Sequence, residues 1–261
     1  MKIQHPIILA TMLAFSVLAS HAQPGPRGGG MGGPPPGPSM SGSLKKVFGE
    51  HTAFSANLEM QYNKGTSSSD AMTMPGKMAA LDGKSRFEMD MTQMKGGQMS
   101  PASAAQMKQM GMGSMITISR PDKKLNYMVY PDLQAYAENA MRDPDADKPD
   151  SDFKVEVTEL GKETVDGHPC VKNKVIVTDK EEKKHEFTVW NATDLKKFPV
   201  KLETVERANT VVMLFKDVKL AKPEASLFEP PSDFKRYESM GAMMQQEMMK
   251  RMGGAGVPPG R

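Results

Sequence analysis

The methionines are the residues of this chain with the most evident chemical capacity. Met accounts for 25 of the 261 residues, and the spacing Met107-x-x-Met110-x-Met112-x-x-Met115 places four thioethers in one short segment. Thioethers are soft ligands that suit Cu(I), so one hypothesis is a copper site on a flexible loop. Met side chains are also pliable and polarizable, and they are common on adaptable apolar binding surfaces.

A second hypothesis therefore makes these side chains part of the lining of an apolar ligand site. A third interpretation is structural, because apolar residues at regular spacing most often form core, with Met in place of Leu. The residues that we predict to line or cover an apolar ligand are Phe54, Leu58, Met60, Phe87, Met89, Met91, Met107, Met110, Tyr127 and Trp190.

Other reactive residue types lack the partners that catalysis requires. His168-Pro169-Cys170 offers two metal-ligand types, but the proline between them and the preceding turn favour the start of a strand. Cys170 is the single cysteine and cannot form an internal disulfide. No Ser or Cys lies in a triad-like pattern. The sequence predicts no enzyme and no cofactor.

The N-terminus has the three parts of a secretory signal peptide. Lys2 supplies a positive charge, Ile7–Ala19 is an uncharged apolar run, and Ser20-His21-Ala22 offers small residues for cleavage. The apolar run is shorter than the ~20 residues of a membrane-spanning helix. We therefore predict cleavage after Ala22 and a periplasmic or secreted mature chain. No later segment is apolar enough to span a bilayer.

Composition limits the partners. The chain has 34 Lys and Arg against 31 Asp and Glu, a formal net charge of +3, without the concentrated basic face that is typical of nucleic-acid binding. Residues 23–43 are rich in Gly and Pro and predict a disordered leader, and residues 253–261 predict a disordered tail.

Between these ends the hydrophobic pattern has a period of two. In residues 54–62 apolar and polar residues alternate, as in a half-buried strand. Similar runs predict ten or eleven short strands at 71–74, 77–81, 85–91, 115–119, 125–130, 154–160, 170–178, 185–190, 200–205 and 210–217. Turn signals such as Asp82-Gly83 and Asp166-Gly167 separate them. The pattern predicts an antiparallel sheet in a mainly β, α+β domain.

Few segments have a helical pattern. Leu44–Phe48 predicts part of a short helix, and Ser100-Pro101 resembles an N-cap and a first-turn proline that open a helix over 102–110. Residues 131–141 predict another helix. The last helix is predicted from about 235 to 252, with methionines at helical spacing on one side.

The order of these features resembles the periplasmic lipoprotein carriers LolA and LolB and the related anti-sigma partner RseB. It is similar above all to uncharacterised exported proteins of that fold. The segments that carry the resemblance are Met78–Met91, Ile116–Tyr136, Val165–Val171, Thr188–Pro199 and Phe215–Pro231.

The resemblance implies a strongly curved antiparallel sheet, an unclosed half-barrel, with Met-rich lid helices over its open side. In the carriers, an Arg at the site that matches Arg86 ties the lid to the sheet, so the resemblance implies a lid latch at Arg86. The expected organisation is a signal peptide at 1–22, a leader at 23–43, the domain at 44–237, a Met-rich helix at 238–252 and a tail at 253–261.

The predicted function is non-covalent binding of a lipid, an acyl chain or a lipoprotein in the concave face. The alternatives are Cu(I) buffering through Met107, Met110, Met112 and Met115, and an envelope module that binds another protein or senses stress.

Overall fold

The computed structural model describes residues 42–64, 71–96, 100–141, 153–206 and 209–253. The predicted signal peptide, the leader as far as residue 41, the acidic loop before residue 153 and the tail after residue 253 lie outside the described residues. No helix in the described ranges is both long enough and apolar enough to cross a membrane.

The described part is mainly β, as the sequence predicts. Three helices are present in these ranges: α1 (Gly42–Phe48), α2 (Pro101–Gln109) and α3 (Met240–Gly253). The strands are β1 (Ala53–Lys64), β2 (Met72–Leu81), β3 (Lys84–Asp90), β4 (Lys95–Gly96), β5 (Ser114–Arg120), β6 (Leu125–Tyr130), β7 (Ala135–Ala140), β8 (Lys154–Val165), β9 (His168–Thr178), β10 (Lys184–Ala192), β11 (Phe198–Glu206), β12 (Asn209–Lys219) and β13 (Lys235–Tyr237).

All thirteen strands belong to one curved sheet with the order β13-β7-β6-β5-β3-β2-β1-β12-β11-β10-β9-β8, and β4 pairs with β2 beside this path. The first and last strands of the path do not pair with each other, so the sheet is not closed into a barrel. The predicted fold class, a curved and unclosed antiparallel sheet, is confirmed. One pair, β13 with β7, is parallel.

Two-residue turns hold neighbouring strands in register where the sequence carries Asp-Gly. Asp82 and Gly83 join β2 to β3 with φ values of 48° and 84°, and Asp166 and Gly167 repeat this geometry between β8 and β9. Positive φ at both central residues is the conformation whose twist matches that of a hairpin, and Asp-Gly adopts it readily.

The helix predicted over 131–141 is wrong. Pro131–Leu133 forms a single 3-10 turn, Gln134 has a left-handed φ of 47°, and the chain continues as β7. The same connection recurs at Pro121–Lys123 with left-handed Lys124, and at Thr193–Leu195 with left-handed Lys196. Ala-rich β7 is a strand because it pairs with β6 on one side and with β13 on the other, and these tertiary contacts outweigh its helix propensity.

Three further boundaries differ from the prediction. Lys235–Tyr237 is strand β13, and the last helix begins only at Met240. Strand β8 extends to Val165. The runs 71–74 and 77–81 form the single strand β2, which contains Pro75.

Pro75 lies in the middle of a central strand, where its missing N–H removes a possible ladder bond. On the β3 side, however, β2 pairs with β3 from Gly76 onwards and with β4 only at Met72 and Thr73. Pro75 therefore lies between the part of β2 that pairs with β3 and the part that pairs with β4.

The backbone of β3 also approaches the adjacent Gly76 closely. A Cβ on Gly76 would lie 2.5 Å from the carbonyl oxygen of Glu88 and 3.0 Å from the Phe87 ring.

Gly76→Ala is expected to lower the free energy of unfolding by about 1–3 kcal/mol, because backbone and a buried ring must both move. The measurement is chemical denaturation. Gly241→Ala is the matched control, because its Cβ would meet nothing closer than 3.9 Å in helix α3, so its effect should be neutral or stabilising. Equal destabilisation by both variants would contradict this account.

Candidate ligand-binding site

The sheet has two distinct faces. We call the face covered by α1 and α3 the inner face; it includes Phe54, Leu58 and Met60 on β1 and carries most of the buried apolar residues. The opposite, outer face carries the alternate residues, among them Glu59 and Lys216, whose amino group lies 3.1 Å from the Glu59 carboxylate. Since side chains alternate along a strand, the register fixes which residues share a face.

Cross-strand register arranges the inner face of β1, β2, β3, β5, β6 and β7 in rows. The first row is Phe54, Ala80, Ser85, Ser119, Asn126 and Asn139; the second is Ala56, Met78, Phe87, Thr117, Met128 and Ala137. In the third row Leu58, Gly76, Met89 and Met115 are neighbours, and in the fourth Met213, Met60 and Met74. None of these residues is charged.

One part of the inner face is a rigid aromatic cluster: Phe48, Phe54, Phe198 and Phe215. The Phe48 ring of α1 stacks on Phe54 with centroids 5.0 Å apart and meets Phe215 edge-on at 5.5 Å. Phe198 meets Phe54 at 4.9 Å. Rings at these offsets add stability beyond the apolar area that they bury. The predicted ligand residue Phe54 is therefore part of a fixed core closed by α1, which contains no Met.

A second part of the inner face is a methionine cluster: Met60, Met74, Met89, Met91 and Met115. All five are at most 3 % exposed. Met60 and Met74 are direct cross-strand partners, as are Met89 and Met115. Unbranched thioether side chains can repack around different shapes with little strain, because they have three rotatable bonds.

A cover formed by the 3-10 turn Met91–Gln93 and helix α2 adjoins the methionine cluster: the turn contributes Met91 to the cluster and packs on β2 and β5, and α2 packs on the turn. Ser100 caps α2 by accepting the Ser103 N–H, as predicted. No residue of α2 is fully buried; Met107 and, just beyond the helix, Met112 pack on the core from partly exposed positions. Elements with few buried apolar contacts open locally at low free energy, so α2 is the least firmly held part of this cover.

Tyr130 adds one polar group beside the methionine cluster. Its hydroxyl donates to the sulfur of Met115 at 3.6 Å, and burial raises the pKa of Tyr130 to about 12. The phenol therefore stays neutral and protonated across the physiological range, which is consistent with the lack of charge on this face.

Two predicted lining residues, Tyr127 and Trp190, do not point to the inner face. Tyr127 packs with Ile118 and Phe228 in a smaller cluster on the outer face. Trp190 lies on the other side of β10 from Val189, and the amino groups of Lys172 and Lys201 lie 4.9 Å and 4.1 Å from its ring centroid. The alternation of side chains in β6 thus removes Tyr127 from the inner lining, whereas Trp190 still packs with the main core cluster from the side of the lysines.

Arg86 also lies on the outer face, where it contacts the C-terminal segment and not a lid helix. Its guanidinium donates to the Leu227 carbonyl at 3.0 Å and to Glu88 at 2.8 Å. Arg120 on neighbouring β5 donates to the next carbonyl, that of Phe228, at 3.2 Å. The sequence analysis missed Arg120; its one available signal was an arginine among apolar residues of a strand.

These two arginines hold the segment that leads from β12 to β13. Arg120 forms a two-bond ion pair with Asp122 at 2.8 Å and a further ion pair with Glu229. Burial would raise the pKa of Glu229, but hydrogen bonds from Lys123 and Arg120 lower it overall. The fully buried Phe228 ring fills the outer cluster between these polar contacts.

The four methionines of the copper hypothesis do not lie on one flexible loop. Met107 belongs to α2 and Met110 caps its end, whereas Met115 lies in β5 with its sulfur beside the Tyr130 hydroxyl. Met107, Met112 and Met115 all pack with the apolar core. This arrangement does not favour the copper alternative.

Cavities of about 590 Å³ and about 300 Å³ lie mainly on the outer face and share Asn57, Lys77 and Glu88. Their walls combine charged side chains such as Glu59 and Lys216 with apolar surface, and the larger cavity also reaches Leu58, Met89 and Met115. Hydrogen bonds from Gln61 and Lys216 lower the pKa of Glu59, so its carboxylate stays ionised there.

Solved structures with a similar backbone include proteins of the predicted superfamily. The chain is similar to the lipoprotein LppX of Mycobacterium tuberculosis, with 10% identity, 68% of this chain and 91% of that one covered, and a TM-score of 0.38. A LolA superfamily protein, NE2245 of Nitrosomonas europaea, is 10% identical, with 70% of this chain and 93% of that one covered and a TM-score of 0.36. LprF of Mycobacterium bovis is 12% identical, with 74% of this chain and 93% of that one covered and a TM-score of 0.37.

The predicted resemblance to LolA-like proteins thus has its counterpart among solved structures. A family model described as a domain of unknown function, DUF4412, matches residues 69–197. No curated protein matches the sequence.

Arg120→Gln is expected to destabilise the protein at neutral pH and to reduce its sensitivity to acid. Pairing with Arg120 lowers the pKa of Asp122 from 3.8 to about 2. A carboxyl whose pKa is depressed by folding contributes stability above its unfolded pKa, and this contribution is lost as the pH falls through the folded value. The difference in Tm between wild type and variant should therefore shrink from about pH 5 to about pH 2.

Arg236→Gln is the control, because it removes the ion pair of an exposed arginine with Glu138 at 3.2 Å. Exposed pairs contribute at most ~1 kcal/mol. A Tm difference for Arg120→Gln that is the same at both pH values would show that Asp122 does not depend on this arginine.

Proposed function

We propose that this chain is an exported, non-enzymatic protein that binds an apolar ligand non-covalently between the inner face of its sheet and the cover of α2 and the Met91–Gln93 turn. The ligand class is a lipid, an acyl chain or the lipid part of a lipoprotein. The proposal includes the predicted signal peptide and a place in the cell envelope.

One observation carries this proposal: buried methionines lie in rows of the inner face that carry no charge, and the helix that packs on the adjoining Met91–Gln93 turn buries none of its own residues fully. A core needed only for stability is better specified by branched and aromatic side chains, and this protein uses such side chains around Phe48 and Phe198. The methionine cluster is the part of the core whose shape can change.

Binding requires that the cover opens and that the methionines move aside. The apparent affinity is reduced by the fraction of molecules that are open, and a loosely held α2 keeps that reduction small. Each methylene transferred from water to the inner face contributes ~0.8 kcal/mol. A chain of several methylenes therefore compensates for opening and for association.

The first test is native mass spectrometry of the full chain purified from an envelope fraction, together with titration of the delipidated protein with the fluorescent apolar probe N-phenylnaphthylamine. We expect a co-purifying lipid and saturable probe binding. The proposal would be contradicted if no preparation contained a co-purifying lipid and the delipidated protein did not bind the probe.

The double substitution Met89→Leu with Met115→Leu locates the site. Leu has a similar volume, so the loss of stability should stay below ~1.5 kcal/mol, but the branched side chains cannot repack as freely. Probe affinity should fall severalfold. Leu81→Met, in the smaller cluster on the outer face, is the control and should leave probe binding unchanged; an equal effect of both changes would place the site elsewhere.

A further inference from the structure

The inner face is polar at one end. In its first row, β3, β5, β6 and β7 carry Ser85, Ser119, Asn126 and Asn139, which we call the polar row. Ser85 and Ser119 are buried, and the two asparagines are half-buried. From Ser85 to Met89 the strand advances four residues, or about 13 Å at the rise of a strand. The face thus changes from polar to methionine-rich along one direction.

Two oxygens at this polar end have no hydrogen-bond partner. They are the Thr117 hydroxyl and the side-chain oxygen of Asn126, both buried. Thr117 is opposite Met128 and Asn126 is opposite Ser119, so the two residues are diagonal neighbours on adjacent strands and face the same side. Buried polar groups in folded proteins are nearly always paired, so two unpaired oxygens on the same face of adjacent strands are unusual, and each can form a hydrogen bond with a polar group of a ligand.

We propose that the ligand is an acyl chain with a neutral, hydroxyl-bearing head, of the glycerol ester type, whose hydroxyl groups bind Thr117 and Asn126. This inference rests on the proposed function and specifies its ligand. A hydroxyl can both donate and accept a hydrogen bond, so it satisfies the Thr117 hydroxyl and either orientation of the Asn126 amide. The acyl chain extends from this head toward Met89 and Met115.

A charged head fits this site poorly. The inner-facing residues of β3, β5, β6 and β7 are Ser, Thr, Asn, Tyr and apolar types, so these strands offer no cation to a carboxylate or phosphate. An ion moved from water to such a surface without a counter-charge is strongly disfavoured. The arginines of the same strands, Arg86 and Arg120, lie on the outer face with carboxylate partners.

The test compares three probes with one acyl chain: monooleoylglycerol, methyl oleate and oleate at about pH 8, a pH at which a carboxyl group is ionised. Each displaces the fluorescent apolar probe from the delipidated full chain. We expect monooleoylglycerol to bind roughly tenfold more tightly than methyl oleate, because two added hydrogen bonds together correspond to about one decade in Kd. Oleate should bind no better than methyl oleate.

Thr117→Val and Asn126→Leu remove the two unpaired oxygens. Each should reduce the preference for monooleoylglycerol over methyl oleate severalfold. The Tm without ligand should stay the same or rise, because each change removes a buried polar atom that has no partner. Thr188→Val, on the outer face of β10, is the matched control and should change neither affinity.

The outcomes separate the two proposals. Equal affinity for monooleoylglycerol and methyl oleate, or tightest binding of oleate, would overturn the neutral-head inference while binding itself stood. A preference that survives both substitutions would move the head-group site away from Thr117 and Asn126. Failure of all three probes to displace the fluorescent probe, or failure of the fluorescent probe to bind, would overturn the proposed function itself.

Discussion

The alternation of side chains across β1, β2, β3, β5, β6 and β7 is the constraint on which the rest of the structure depends. A slip of one residue in β3 would turn Arg86 and Glu88 inward and expel Phe87 and Met89. The turn at Asp82-Gly83 prevents such a slip between β2 and β3, because its left-handed residues fix a two-residue connection. Once this register is set, the four rows of the inner face named above carry no charge, and charged groups such as Arg86 and Glu88 lie on the outer face.

The two faces are stabilised by different means, and this difference separates rigid from adaptable regions. On the outer face Arg86 and Arg120 fasten consecutive carbonyls of the C-terminal segment, so that β13 and α3 return to the sheet at a defined place. On the inner face the aromatic cluster fixes α1 by ring packing. Between these anchored elements lie the methionine cluster, whose unbranched side chains can repack, and α2, which has no fully buried residue.

Much of the fold could be predicted from the sequence because its strands alternate cleanly and its Asp-Gly turns have a specific geometry. The prediction failed where local propensity and tertiary pairing disagree. Ala135–Ala140 has a helical composition. In the sequence, however, it follows a Pro-Asp turn like that at Pro121–Lys123, and it pairs with β6 on one side and β13 on the other. Comparison of the two Pro-Asp segments would have revealed the strand.

The candidate site could be predicted only in part. The two-residue alternation of apolar side chains identified Met60, Met89 and their neighbours as one face of the sheet. The face on which Tyr127 and Trp190 lie, however, could be assigned only from the exact register and the bulge after Trp190. The polar row is invisible in the sequence, since Ser85, Ser119 and Asn126 belong to three strands and meet only through pairing. None of these residues is distinctive alone; they form a polar row only because strand pairing makes them neighbours.

At the far end of the sheet, strand β8 has a consequence for association between molecules. Within the described residues it pairs only with β9, and Val155 and Val157 are 44% and 61% exposed. An uncovered strand of twelve residues is a template for unwanted cross-chain ladders. The edge strand also carries five charged residues, and a chain that pairs with it must desolvate them. They are Lys154, Glu156, Glu159, Lys162 and Glu163. The need to desolvate these charges opposes such pairing, while Val155 and Val157 stay accessible.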